Sequence, residues 1–341
     1  FDSLSSLLKQ SQESGDMPSV VREAAWLGAL WLSLGQPALA LSLGSINNFR
    51  DLGTVPCRGA KAVKPGLIYR AASPAAASSE DAQALQQRLR TIIDLRSEAD
   101  AADDVGPRLL SSMTTHVELL NKKVVKKNVK RLMLRQPLHS MPFLLCALLK
   151  KLLPPLVSEV HDRITTLMHD KLRHFIRYIE LTDVYFWILT HHGESLRQAI
   201  LLCAESSAQP VMVHCTHGKD RTGVLVALLL HICGASPQTI ASEYALSDDW
   251  GCSLEGRAAM LRAMPPKLQD AIENAEQFGE WCSAPERAML ELWRRVDRRF
   301  GSMDAYLDSI GITASTRARI ADSLTVPTSD GCAEGAAPQA A

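Results

Sequence analysis

The stretch VMVHCTHGKDRTG, residues 211–223, sets Cys215 six positions before Arg221, with Lys219, Asp220 and Thr222 crowded around the arginine. None of the other seven cysteines has an arginine at that offset. Buried structural cysteines sit among hydrophobes; this one stands in a polar, cationic turn. The chemistry such a grouping can do is nucleophilic. A thiolate attacks where a thiol does not, and a helix N-terminus with nearby cations lowers a thiol pKa from ~8.5 to as low as ~3.5. Arg221 can hold two oxyanion atoms through its planar fork, which a lysine cannot do.

Each neighbour has a role to test. Gly218 permits a positive φ where the loop must turn. Thr216, His217, Gly218, Lys219, Thr222 and Gly223 are the expected lining of an anion site, with the Thr222 hydroxyl donating to the sulfur. His214 is expected to fix the loop by hydrogen bonds rather than to act as a base. Asp220 is the first candidate for proton donor to a leaving group; the alternative is that it only braces Arg221. Asp94 reads as a strand-end residue bonded to the loop or to Arg96. Lys219 either adds charge for a polyanionic headgroup or simply depresses the Cys215 pKa or faces solvent.

These side chains need a strand, a tight loop and a helix N-terminus to hold them. PVMVH (210–214) reads as a buried strand, and a helix is expected to start near Thr222–Gly223 and run through the all-apolar VLVALLLHIC (224–233). Backbone N–H groups curling inward at such a junction, together with the helix dipole, form an anion cradle. GLIYR (66–70), TIIDLR (91–96) and THVELL (115–120) read as further strands, with an amphipathic helix over 78–90. Strands alternating with helices predict an α/β fold: a central, mostly parallel sheet flanked by helices. The C-terminal half reads as helical. Ser236 caps a helix beginning at Pro237, Ser283 and Glu286 form a capping box, and Gly311 separates two short helices. Asp248 and Asp249 close a helix, either solvated or reaching Lys219. From Val326 onward the composition reads as a disordered tail.

Length and composition bound the class. The 341 residues suffice for one large domain with insertions or two small ones; 46% apolar and 22% charged is ordinary for a globular protein, and a net charge of zero gives no global argument for nucleic acid or membrane. The eight cysteines lack any CxxC pair, which suits reduced thiols in a reducing, cytoplasmic setting. The chain opens on Phe1 rather than Met, so its natural start can lie upstream. Residues 1–44 carry two apolar patches, both shorter than the ~18 residues of a membrane span. They read as a helical extension on the core, with a trimmed targeting segment as the minority reading.

One stretch breaks the pattern. Leu119 to Ser158 contains no Asp or Glu but nine Lys and Arg, from Lys122 to Lys151, and includes the apolar run MPFLLCALLKKLLPPL. This is an insertion in the α/β core, over about 121–165. Its composition reads as a peripheral contact with an anionic membrane or a basic helix pair packed on the surface.

HCTHGKDRTG (214–223) resembles the signature of the cysteine-dependent tyrosine phosphatase superfamily at every fixed position. Its GKDRTG form resembles the PtpB-like branch of tyrosine and phosphoinositide phosphatases. NNFRDLG (47–53), LIYRAAS (67–73), IIDLRSEAD (92–100) and GSMDAYLDSIGIT (301–313) resemble other elements of that branch. The resemblance implies a phosphatase domain over 45–325 and a phosphocysteine formed on Cys215, with no metal or cofactor. It implies a phosphotyrosine, phosphoserine or phosphothreonine protein, or a phosphoinositide, as substrate. It also implies, as a third reading of the basic insertion over about 121–165, a helical lid over the pocket, and an acidic residue after THVELL, where this chain has lysines. Arg50 and Asp51 are expected as a structural ion pair near the site, and Arg70 and Arg96 at strand ends beside it. Cys57, Cys233 and Cys252 are weighed as resolving thiols for an oxidised Cys215. The rival readings are a phospho-binding pseudophosphatase and a redox or sulfur-transfer enzyme; the latter leaves the arginine unexplained.

Overall fold

A computed structural model describes residues 43–102, 104, 110–135, 141, 145–148, 162–167, 179–205, 208–262, 269, 273 and 278–328. The expected N-terminal extension, most of the apolar run 141–156 and the end of the tail lie outside the described residues.

The strands are β1 (Arg50–Asp51), β2 (Pro56–Cys57), β3 (Lys61–Val63), β4 (Ile68–Ala71), β5 (Thr91–Asp94), β6 (Thr114–His116), β7 (Val211–His214) and β8 (Thr325–Pro327). Five form the main sheet in the order β1-β4-β7-β5-β6; β1 runs antiparallel to β4 and the other pairings are parallel. The predicted α/β architecture is therefore present. Strand β7 lies at the centre with both faces covered, which is why VMVH reads as an unbroken apolar run rather than an alternating one. A small sheet, β2-β3-β8, was not foreseen, and the expected tail boundary at Val326 falls inside β8.

The helices are α1 (Ser79–Arg88), α2 (Glu98–Ala101), α3 (Lys122–Arg135), α4 (Leu181–His191), α5 (Gly193–Ala204), α6 (Asp220–Ile232), α7 (Pro237–Ala245), α8 (Asp248–Cys252), α9 (Leu254–Arg262), α10 (Phe278–Cys282), α11 (Glu286–Phe300), α12 (Met303–Ser309) and α13 (Ala314–Leu324). Helix α6 is buried on all sides; Leu225, Leu228 and Leu229 are about 1% exposed or less. Burying each such side chain contributes roughly 1.5–3 kcal/mol, so the helix behind the cysteine loop is firmly seated.

Several local expectations change. Only Thr115 and His116 of THVELL fall in β6, although Val117 N–H still donates to Asp94 O at 2.9 Å and Leu119 N–H to Leu95 O at 3.1 Å. Helix α6 starts at Asp220, earlier than Thr222. The Ser283–Glu286 box does not form: Pro285 is the N-cap, Ser283 Oγ donates to Glu280 O, and Glu286 accepts from Ser242 Oγ. Ser236 does cap α7 as expected, accepting from Thr239 N–H. Asp248 opens a new helix instead of ending one, and its carboxylate accepts Ala284 N–H at 2.6 Å rather than meeting Lys219.

Candidate active site

The loop Cys215–Lys219 joins the C-terminal end of β7 to the first turn of α6, at the sheet edge where α/β folds present ligands. Four successive carbonyls of this loop are held from outside. Cys215 O accepts from His214 Nδ1 at 3.2 Å, and Thr216 O from Ser73 N–H at 3.0 Å. His217 O accepts from Asn48 Nδ2 at 3.0 Å, and Gly218 O from Arg70 Nη2 at 2.6 Å. A trans peptide points its N–H away from its C=O. Carbonyls drawn outward therefore turn the amides of Thr216, His217, Gly218 and Lys219 inward. None of those four amides donates to another backbone carbonyl among the described residues. The result is a concave set of donors over the α6 N-terminus, built to hold an anion.

Gly218 makes the closest approach. Its φ is +65°, and a Cβ there would lie 2.2 Å from Ala71 O. Beneath the loop, buried Glu243 accepts from Arg50 Nε at 2.8 Å and Arg70 Nη1 at 2.6 Å. Two guanidiniums on one carboxylate leave a net positive charge below the cradle. Burial and the neighbouring Arg70 pull the Arg50 pKa down to about 10. The expected Arg50–Asp51 pair is thus replaced by Arg50–Glu243, and Asp51 instead accepts the N–H groups of Gly53 and Gly66.

Arg221 spans the loop. Its Nη1 donates to Asp100 Oδ2 at 2.6 Å and its Nη2 to Thr216 Oγ1 at 3.0 Å. Burial alone would weaken the guanidinium's hold on its proton, but the Cys215 sulfur and Asp100 raise its pKa above the ordinary value. Burial likewise opposes ionisation of Asp100, yet the Arg221 charge and bonds from Arg221 and Ser97 hold its carboxyl below the usual range. Cys215 is 2% exposed. Thr222 is buried with no partner for its hydroxyl, so the expected bond to the sulfur is not made. Gly223 donates its N–H to Lys219 O and packs under Tyr244; it is a packing position, not an anion contact.

Lys219 overturns an expectation. It is 1% exposed, and its Nζ bonds Trp281 O at 2.7 Å, Ser283 O at 2.9 Å and Asp220 Oδ1 at 3.0 Å. A three-donor ammonium with three protein acceptors ties the loop to α10 and has nothing left for a headgroup. Burial would strip its proton, but Asp220 and Tyr244 keep its pKa raised. The same Asp220 Oδ1 accepts from Tyr185 Oη at 2.6 Å. Burial disfavours the Asp220 carboxylate, yet Lys219, the Tyr185 and Lys219 bonds and His217 hold it below the ordinary value. Asp220 is therefore an anion in the free site and does not carry a proton in waiting.

His214 sits against Asp94 at 3.8 Å, and burial lowers its pKa. Asp94 is held by Arg96 through both guanidinium and backbone, and Arg96 also pairs with Asp104. On the other side of α2 from Arg221, a cavity of about 550 Å³ is lined by Glu98, Ala101, Ala102, Asp94, Arg96 and His116 among others. Two of the three weighed resolving thiols lie away from the cysteine loop. Cys57 Sγ donates to Val55 O on the small sheet. Cys233 follows the far end of α6, about 20 Å along the helix, with its pKa pushed to about 12 by burial. Cys252 is exposed on α8.

Sequence reasoning missed Asn48, Ser73, Asp100, Tyr185 and Glu243. Asn48, Ser73 and Asp100 lay inside quoted motifs, but only the fold shows what they touch. Tyr185 and Glu243 gave no local signal.

The fold and site define an α/β protein that presents a cysteine and an arginine in a backbone anion cradle. Residues 41–326 match the profile of the tyrosine phosphatase family, and the chain belongs to that family. It is 27% identical over 152 residues to the triple specificity protein phosphatase PtpB of Mycobacterium tuberculosis, covering 40% of this chain and 51% of that one. It is 28% identical over 138 residues to a tyrosine-protein phosphatase of Nostoc commune, covering 39% and 45%. A candidate tyrosine-protein phosphatase of Cupriavidus necator is 24% identical over 283 residues, covering 78% and 82%. The chain thus spans about half the length of two of these relatives. The family expected from the cysteine loop is the family found. No helix among the described residues is long and apolar enough to cross a membrane.

Proposed function

We propose that this protein hydrolyses phosphomonoesters through a cysteinyl-phosphate intermediate. The observation that carries the proposal is the outward anchoring of four loop carbonyls beside Cys215, which turns four amides inward in the loop that Arg221 spans. In the first step the Cys215 sulfur attacks phosphorus, the S–P bond forms, and the P–O bond to the leaving group breaks. The amides and Arg221 hold the equatorial oxygens throughout. Asp220 supplies the leaving group's proton. It is ionised in the free site, and the charge of a phosphoryl dianion beside it opposes that ionisation, so binding of substrate is what loads the proton. In the second step Asp220, again a carboxylate, takes a proton from water as the oxygen attacks phosphorus, the S–P bond breaks, and orthophosphate leaves.

The similarity to tyrosine and triple specificity phosphatases supports phosphotyrosine, phosphoserine or phosphothreonine proteins as substrates. A phosphoinositide remains within the same reading, but buried Lys219 gives it no support from inside the loop. The free thiols among the described residues suit a reducing compartment such as the cytoplasm. The complete set of Cys215, Arg221 and unpaired amides disfavours a pseudophosphatase.

Hydrolysis of para-nitrophenyl phosphate without added metal tests the reaction, with Cys215→Ser expected to abolish it. If the wild type is inactive yet binds orthophosphate or vanadate, the binding-module reading replaces this one. Asp220→Asn is expected to slow alkyl phosphates far more than activated aryl phosphates. Equal losses on both would remove the proton-donor role.

A further inference from the structure

Helix α3 carries seven cations, and six of them, Lys122, Lys123, Lys126, Lys127, Lys130 and Arg131, are exposed. No carboxylate pairs with any of these six among the described residues. Asn128 on the opposite face is buried, and Val124, Val125, Val129 and Leu132 are partly covered. That face packs on α4. The charge does not help the helix. Lys122 and Lys123 sit in a first turn with no acidic residue, where the helix dipole disfavours cations. Five like-charged pairs recur at i,i+4 in the sequence: 122–126, 123–127, 126–130, 127–131 and 131–135, each repulsive. Among the described residues nothing relieves this repulsion, so a negatively charged partner would stabilise the helix.

The cationic face ends on an exposed leucine, and more exposed apolar side chains follow in sequence. Leu134, on the same side of α3, is 67% exposed. Of the seven large exposed hydrophobic side chains among the described residues, five lie between 134 and 167: Leu134, Met141, Leu145, Leu148 and Leu167. Cations bordered by exposed leucines fit a surface with negative charge at its face and hydrocarbon below it. An acidic protein or a nucleic acid would satisfy the lysines but give the leucines nowhere to go.

We infer that the cationic face of α3, with Leu134 at its end, is a docking surface for an anionic lipid bilayer. Its position gives the docking a consequence. Helix α3 begins just beyond the C-terminal end of β6, at the same edge of the parallel sheet as the cysteine loop. It packs on α4, which carries Tyr185, the donor to Asp220. A docked molecule holds its catalytic edge near the bilayer. The docking does not depend on the catalytic reading, whereas access to phosphoryl groups at the membrane does.

The test is flotation of the full chain with phosphatidylcholine vesicles, with and without 30% phosphatidylserine by design (about that fraction gives a surface potential of tens of millivolts). Binding is expected only to the anionic vesicles and is expected to fade as salt shortens the Debye length from ~10 Å toward ~3 Å. Replacing Lys122, Lys126, Lys130 and Arg131 by Gln should weaken binding by more than 100-fold, at about fivefold per cation. It should leave hydrolysis of soluble para-nitrophenyl phosphate unchanged. Leu134→Gln should weaken binding while the salt dependence stays. Failure of the folded, catalytically active wild type to float with anionic vesicles at low salt overturns the docking. Loss of soluble-substrate hydrolysis with flotation intact would overturn the catalytic reading alone.

Discussion

Asn48 is the sharpest place to test how the cradle works. Its Nδ2 donates to His217 O at 3.0 Å, across a sequence separation of 169 residues. Its Oδ1 accepts from Arg50 Nη1. The bond fixes the His217–Gly218 peptide and so aims the Gly218 amide inward. Asn48→Ala mixes two effects, because Asn48 has φ +53° and a non-glycine, non-Asn residue is strained there. Asn48→Gly relieves that strain and removes only the side chain. Asn48→Asp retains the acceptor for Arg50, removes the donor and adds a negative charge beside His217 O, so it should lose at least as much as Asn48→Gly. A net hydrogen bond is worth about 0.5–1.5 kcal/mol, and a fully lost oxyanion donor about 2.7–4 kcal/mol. An amide that is unpinned rather than deleted lies between, at about 1.5 kcal/mol, or roughly tenfold. The assay is kcat/KM on an aryl phosphate together with inhibition by orthophosphate, at fixed salt. Asn48→Gly should lose about tenfold in kcat/KM and in phosphate affinity, and Asn48→Asp at least that much. If both parameters stay within twofold in Asn48→Gly, the outward anchoring of carbonyls is not what holds the amides, and the argument for the cradle fails.

Two further outcomes follow from buried groups. Burial lowers the His217 pKa from 6.5 to about 4, so between those values the unfolded chain takes up a proton that the folded one refuses. Stability is then full above about pH 6.5 and declines toward pH 4, by at most about 3 kcal/mol at 1.36 kcal/mol per pH unit. Denaturant titrations of His217→Asn should show a flatter profile across that window, and parallel profiles would refute it. Removing Lys219 leaves Asp220 and two carbonyls without their buried cation, a class of change that costs about 3–5 kcal/mol. Lys219→Met should therefore lower the unfolding midpoint and reduce turnover of aryl phosphate and phosphoinositide alike; a selective loss on phosphoinositide would restore Lys219 as a headgroup contact.

What the sequence determined about this protein is local. Cys215, Gly218 and Arg221 lie within seven residues, between an apolar β-branched strand and an apolar helix, and that order alone forces a strand–loop–helix anion site. The strands β4, β5 and β7 were legible for the same reason, since strands buried on both faces show as unbroken apolar runs. Tertiary structure decided where each charged side chain ends. Lys219, adjacent to the loop in sequence, points away to Trp281 O and Ser283 O across 62 and 64 residues. Asp100, 121 residues from Arg221, is the carboxylate that meets it. Long side chains swing through several ångströms, and their partners are set by which distant elements pack beside them. Backbone amides have no such freedom: once Ser73, Asn48 and Arg70 arrive from the neighbouring segments, the cradle has one shape.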